Sequence, residues 1–275
     1  MIDLHSPYGI PNLFDQNIVG NTKLIIDPSK TYFQNILHID RNNFEKLILI
    51  HGCEPPLLNN ISEEIIKNFQ YFDKIFSFDD KVLKNCNNSE QFVFGSCWIL
   101  RTKENNHCVF FNDYFDNFSI DKKKYKLSFV KSEKNFLPGH KLRFEILGVL
   151  KKNYPFEIMF PQMVPRDQKY GLFLDSMFHL TVENSQVKNY FTEKIIDCFM
   201  SYTIPIYWGC PNIGDYFNKN GIIFFDNAND LENKLLNLTE EDYYNRIDAI
   251  KENYEIAKNN YAFFFDRINE ILKSV

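Results

Sequence analysis

The stretch Phe178-His179-Leu180-Thr181-Val182-Glu183-Asn184-Ser185-Gln186-Val187-Lys188-Asn189-Tyr190-Phe191-Thr192-Glu193-Lys194 decides how the chain is read. Met177 to Val182 is a largely apolar run that predicts a strand. A polar turn follows, and apolar residues at helical spacing predict a helix over 190–202. Ile204 to Trp208 is a second apolar run. Strand, helix and strand at this spacing predict a β-α-β unit in a parallel sheet.

The same alternation extends outward. Towards the C-terminus the pattern predicts a short helix at 211–217, a strand at 221–225 and a helix at 227–238. Thr239-x-x-Asp242 has the form of a capping box for a further helix. Phe264, Ile268, Ile271 and Leu272 predict an amphipathic helix over 261–275. Towards the N-terminus the predictions are a strand at 156–160, a helix from His140 to Lys152 and a strand at 126–130. Asn112 to Lys126 is polar and charged, which places a domain boundary near residue 120. Before it, Lys46–His51 predicts a strand, Ser62–Phe69 a helix with Ser62 at its start, and Asp73–Phe78 another strand. Pro55-Pro56 reads as a stop. The expected organisation is α/β: a short N-terminal Rossmann-like domain (1–120), a second Rossmann-like domain (121–258) and a C-terminal helix (259–275) packing across them. Ligands in such sheets bind beyond the carboxyl ends of the strands.

Composition narrows the partners. The 275 residues carry 31 Lys and Arg against 36 Asp and Glu, a net charge of −5. The longest basic run is Lys122-Lys123-Lys124, so no nucleic-acid partner is expected. Six cysteines include no CxxC pair, which speaks against a zinc ribbon and for reduced, buried thiols. No apolar run approaches the ~20 residues that span a bilayer, and the first residues do not have signal-peptide form. The sequence holds no D-x-D, so no obligatory divalent ion is expected.

The polar cluster carries the chemistry. Backbone N–H groups at the start of the helix near Tyr190 form an anion site. Lys194 sits in the first turn, where a cation opposes the helix dipole unless an anion compensates it. Glu193 is placed to accept hydrogen bonds from ribose or sugar hydroxyls. The plain alternative is a helix capped by Asn189, with Lys194 solvated.

The spacing F-x-L-x-x-E-N-S-x-x-x-x-Y-x-T-E-K-I-I, followed by Ile204-Pro205-Ile206-Tyr207-Trp208-Gly209, resembles the hallmark segment of the α-1,3/1,4-fucosyltransferases, glycosyltransferase family 10. The resemblance implies a GT-B arrangement of two Rossmann-like domains facing a central cleft. It implies an inverting glycosyltransferase that moves L-fucose from GDP-fucose to a hydroxyl of an oligosaccharide or glycoconjugate acceptor. Glu183, Asn184, Tyr190, Thr192, Glu193 and Lys194 would hold the donor nucleotide sugar, with Lys194 facing the diphosphate.

Two further segments resemble the family more loosely. In Lys131–Arg143, Arg143 is the counterpart of a phosphate-binding arginine, with His140 and Lys141 as alternatives. In Ile50-His51-Gly52-Cys53-Glu54-Pro55-Pro56, Glu54 would be the general base, with Pro55 where the family has serine. The acceptor hydroxyl gives its proton to a carboxylate on the face opposite the leaving group. The family resemblance, with no anchor or basic repeat in the sequence, implies a cytoplasmic bacterial or viral enzyme, with peripheral membrane contact left open. Two alternatives stand beside this reading: another GDP-sugar as donor, or a catalytically silent nucleotide- or glycan-binding protein.

Overall fold

The computed structural model describes residues 2–5, 21–52, 55–99, 120, 123–131, 133–159 and 169–275. Its chain forms two compact units. Unit 1 comprises Met1–Phe94, Val187–Tyr190 and Phe264–Val275, and unit 2 comprises Gly95–Gln186 and Phe191–Phe263.

Unit 1 is built on five parallel strands: β1 (Ile2–His5), β2 (Thr22–Ile26), β3 (Lys46–His51), β4 (Lys74–Ser77) and β5 (Ser89–Gln91). Their order in the sheet follows the chain order. Right-handed crossovers in that order place the described connecting helices on one face. The helices are α1 (Lys30–Ile36), α2 (Pro55–Asn68) and α3 (Asp80–Asn85). Side chains alternate accordingly: Ile25, Leu47, Leu49 and Ile75 pack with Phe33, Ile36, Ile61, Ile65 and Val82 of those helices. Leu24, Ile26, Ile48, Ile50 and Phe76 face the other way. The C-terminal helix (Phe264–Ser274) closes that second face with Phe264, Ile268 and Leu272.

Unit 2 holds a second all-parallel sheet. In chain order its strands are β6 (Tyr125–Phe129), β7 (Ile158–Met159), β8 (Ser176–Val182), β9 (Ile204–Trp208) and β10 (Ile223–Phe224). The spatial order is β10-β9-β8-β6-β7. The chain steps outward from β6 to β7, then returns to the other side of β6 to lay down β8, β9 and β10. The sheet therefore reverses its winding between β6 and β8. In doubly wound sheets the crevice for a ligand opens at the carboxyl ends of such a strand pair. The segments beginning at Val130 and Glu183 leave the sheet there.

The division falls after Phe94 rather than near residue 120. Residues 95–99 already belong to unit 2: a Cβ on Gly95 would lie 2.9 Å from the Phe191 ring. The Asp197 carboxylate accepts the N–H groups of Trp98 and Ile99 at 2.6 and 3.2 Å. Most of the polar stretch from Asn112 lies outside the described residues, as does Phe160 at the end of the expected strand.

Candidate functional site

Four helices recur in the site and its surroundings: α4 (Pro138–Leu150), α6 (Glu193–Met200), α7 (Ala228–Leu236) and α9 (Ile247–Asn260), with α5 (Lys169–Leu174) and α8 (Glu240–Tyr244) between them in the chain. The site begins where β8 ends. Glu183 donates its backbone N–H to Trp208 O of β9 at 2.9 Å, which keeps the turn in register with the sheet. Its side chain is 0% exposed. A carboxylate so placed needs donors and positive charge. Thr192 supplies two, its N–H at 2.9 Å and its hydroxyl at 2.7 Å. Lys194 supplies the charge, with Nζ 3.3 Å from Glu183 Oε2.

Thr192 is the N-cap of α6. Its hydroxyl is committed to Glu183, and no side-chain bond caps the helix from that residue. Asn189, the cap suggested by sequence, lies three residues earlier with φ of 63°. Its side-chain amide donates to Phe78 O and Asp80 Oδ1 within unit 1.

Lys194 answers the question its position raises. Its ammonium lies 3.3 Å from Glu193 Oε1 as well as from Glu183, and donates to Thr192 Oγ1 at 2.9 Å. Two carboxylates compensate the cation that the helix dipole disfavours. The side chain as a whole remains 24% exposed.

The second wall is the start of α4, reached from the end of β6. Gly139 donates its N–H to Asn184 O at 3.0 Å, and a Cβ on Gly139 would fall 1.8 Å from Glu183 O. Only glycine permits this approach of helix to turn. Arg143, one turn on, is buried and donates to Val182 O and to Asn184 Oδ1. It braces the turn that carries Glu183 and Asn184 and brings a guanidinium charge beneath it.

His140 is buried beside it, with Nδ1 accepting the Leu137 N–H at 3.3 Å. Burial pushes its pKa down to about 4, helped by the charges of Arg143, Lys134 and Lys194. The ring is neutral near pH 7. Ser185 Oγ, 3% exposed, has no hydrogen-bond partner among the described residues. Together these groups offer helix N-termini, an ammonium and an orphaned hydroxyl at one sheet edge, which fits a phosphorylated, hydroxyl-rich ligand. Among the described residues, no group of three His, Cys, Asp or Glu side chains is arranged to hold a metal ion.

Of the residues read from sequence, Arg143, Glu183, Asn184, Thr192, Glu193 and Lys194 come together at this end of unit 2. Tyr190 belongs to unit 1, buried with its ring 5.8 Å from that of Phe78. Glu54 and Cys53 lie outside the described residues. Sequence reading passed over Gly139, although a glycine in the first turn of a helix that follows a strand is the recognised mark of close helix–strand packing.

Residues 121–267 match the C-terminal domain of glycosyltransferase family 10 (fucosyltransferase). The chain belongs to this family. It is 34% identical over 100 residues to the α-(1,3)-fucosyltransferase FucT of Helicobacter pylori, a match covering 34% of this chain. That stretch spans only 20% of the Helicobacter pylori protein's length. The fold resembles a crystal structure of α1,3-fucosyltransferase with a TM-score of 0.56 and 19% identity, over 94% of this chain and 78% of that one. A structure of α1,3-fucosyltransferase with GDP-fucose matches over the same shares, with a TM-score of 0.54 and 20% identity. The fold class is thus that of the family 10 enzymes: α/β, GT-B-like, with two parallel sheets. Among the described residues, no helix is long and apolar enough to cross a membrane.

Proposed function

We propose that the protein is an inverting glycosyltransferase that moves L-fucose from GDP-fucose to a glycan hydroxyl, forming an α-1,3 linkage. The observation that carries this reading is the Glu183–Thr192–Lys194 constellation at the switch point of a family 10 domain. The GDP-fucose complex of a structural neighbour supports the choice of donor.

The steps follow from charge. The acceptor oxygen attacks the anomeric carbon as the bond from that carbon to the β-phosphate oxygen breaks. The electron pair leaves with GDP, and the acceptor proton passes to the carboxylate of Glu54. Negative charge grows on the departing diphosphate, so a cation already positioned there favours the transition state over the ground state. Lys194 is that cation, and Glu183 and Glu193 hold it in place before the donor arrives. Arg143 acts at one remove, by fixing Asn184 and Val182. Glu193, with Asn184, serves the ribose or sugar hydroxyls.

Calorimetric titration with GDP-fucose, GDP-mannose and a UDP-sugar, without added metal, tests the donor site. GDP-fucose is expected to bind selectively and to lose at least about tenfold in affinity in Lys194→Ala. Equal binding of the UDP-sugar, or no effect of the substitution, overturns the assignment. Glu54→Ala is expected to abolish transfer while GDP binding persists. Full activity in that variant removes Glu54 as the base.

A further inference from the structure

Unit 1 has a cavity of about 190 Å³ at the carboxyl edge of β3 and β4, lined by His51, Ser62, Glu63, Phe78, Asp79 and Lys81 among others. Two of these side chains are deeply buried, His51 at 1% and Ser62 at 3% exposure. Each keeps one polar atom, His51 Nε2 and Ser62 Oγ, without a hydrogen-bond partner among the described residues. An unpaired buried polar group costs about 1–3 kcal/mol. Two of them lining one cavity imply a ligand that pairs them.

The network behind His51 sets what it offers. Ser77 Oγ is wholly buried, accepts the Asp79 N–H at 3.0 Å and lies 3.0 Å from His51 Nδ1. The serine proton needs an acceptor, and Nδ1 is the one in reach. His51 therefore carries its hydrogen on Nε2, as a donor. Burial lowers its pKa to about 4, against the Asp79 carboxylate that raises it, so the donor is uncharged near pH 7.

The rest of the lining fits a polyhydroxyl ring. Glu63 and Asp79 accept from hydroxyls, Lys81 donates, and Phe78 presents an aromatic wall to C–H groups. An anion would meet two carboxylates here. The space equals about six water molecules, the bulk of one sugar ring and too small for a nucleotide.

We propose that this cavity seats one neutral sugar ring of the acceptor glycan, with His51 Nε2–H donating to one of its oxygens and Ser62 Oγ bonded to a second. The word acceptor rests on the glycosyl-transfer reading above; the saccharide site itself stands on the geometry of unit 1.

The test is saturation-transfer NMR with lactose and N-acetylglucosamine at millimolar concentration, alongside a separate GDP titration. The variants are His51→Leu, His51→Gln and Ser62→Ala, each checked by its thermal midpoint. At least one saccharide is expected to bind wild type. Its Kd should rise about tenfold in His51→Leu and several-fold in Ser62→Ala. His51→Gln, whose amide nitrogen can stand in for Nε2, should restore most of the loss. GDP affinity should not change in any of them. No transfer from either saccharide to wild type overturns the proposal, as does unchanged saccharide affinity in the folded variants. If His51→Leu does not fold, Ser62→Ala and His51→Gln decide the matter. Saccharide binding without GDP binding would remove the donor assignment and leave this site standing.

Discussion

Gly139 and His51 show how single residues set the two sites. The ideal Cβ position on Gly139 lies 1.8 Å from Glu183 O, a backbone atom of a residue whose own N–H is tied to Trp208 O of β9. Gly139→Ala is therefore expected to cost about 3 kcal/mol or more, towards or beyond the upper end of overpacking penalties, read as a lower denaturation midpoint in urea. GDP affinity should fall with it, because the same shift displaces the Glu183–Asn184 turn. His51 governs acid stability instead. Its folded pKa of about 4 lies below the 6.5 of the unfolded chain, so the unfolded state binds the extra proton between these values. Its contribution is intact above pH 6.5 and is lost as pH falls towards 4, by about 3 kcal/mol in all. His140 adds to the same limb, since burial depresses its pKa too. Denaturant melts between pH 7 and pH 4 should show the decline, and His51→Gln should flatten part of it. A decline as steep in His51→Gln as in wild type would place the titration elsewhere.

At the scale of elements, most strands buried on both faces were legible, though Thr22–Ile26, which forms the equally buried β2, was passed over, and strands held by backbone pairing were not. Met177–Val182 and Ile204–Trp208 are apolar runs whose side chains alone imply burial, and they form β8 and β9. Ser89-Glu90-Gln91 has no apolar residue and lies at the sheet edge, so nothing in its sequence announces β5. Pro55-Pro56 reads as a stop yet opens α2, because the first turn of a helix has no use for the N–H that proline lacks. That Glu183, Asn184, Thr192, Glu193 and Lys194 form one cluster could be read because they lie within twelve positions of one another. The bracing role of Arg143 could not, since it depends on how closely α4 approaches β8. Lys123 is a second long-range tie of this kind. Its ammonium donates to Phe173 O at 3.1 Å, Ser201 O at 2.7 Å and Thr203 Oγ1 at 3.0 Å. It thereby fastens the segment before β6 to the end of α5 and to the C-cap of α6, Ser201. Lys123→Met fills the same space and takes the donor from Ser201 O, while Phe173 O keeps the Thr203 hydroxyl and Thr203 Oγ1 keeps the Ser201 hydroxyl. A loss of about 1–3 kcal/mol in chemical denaturation is expected, from one unpaired buried carbonyl. A change under about 0.5 kcal/mol, the scale of an ordinary surface substitution, would mean that water replaces the amine.

At the scale of the molecule, the two sheets differ in what completes them. Unit 2 covers its sheet with helices from its own stretch of chain, among them α4, α5, α6 and α8. Unit 1 cannot, because its sequential strand order sends α1, α2 and α3 to one face. Its other face carries Leu24, Ile26, Ile48, Ile50 and Phe76, and the chain returns after residue 263 to close it with the C-terminal helix. Phe264, Ile268 and Leu272 are each 5% exposed or less. At roughly 1.5–3 kcal/mol per buried side chain, the three contribute about 5–9 kcal/mol. That is comparable with the whole stability of a domain, about 5–15 kcal/mol. Deleting residues 264–275 is therefore expected to unfold unit 1 while leaving unit 2 with every described residue of the proposed donor site. Calorimetry should then show one endotherm lost and one kept, and GDP should raise the temperature of the survivor. Should GDP stabilise nothing in the shortened chain, the sheet of unit 2 would depend on an intact unit 1. The C-terminal helix would then hold the donor site together as well as the face it covers.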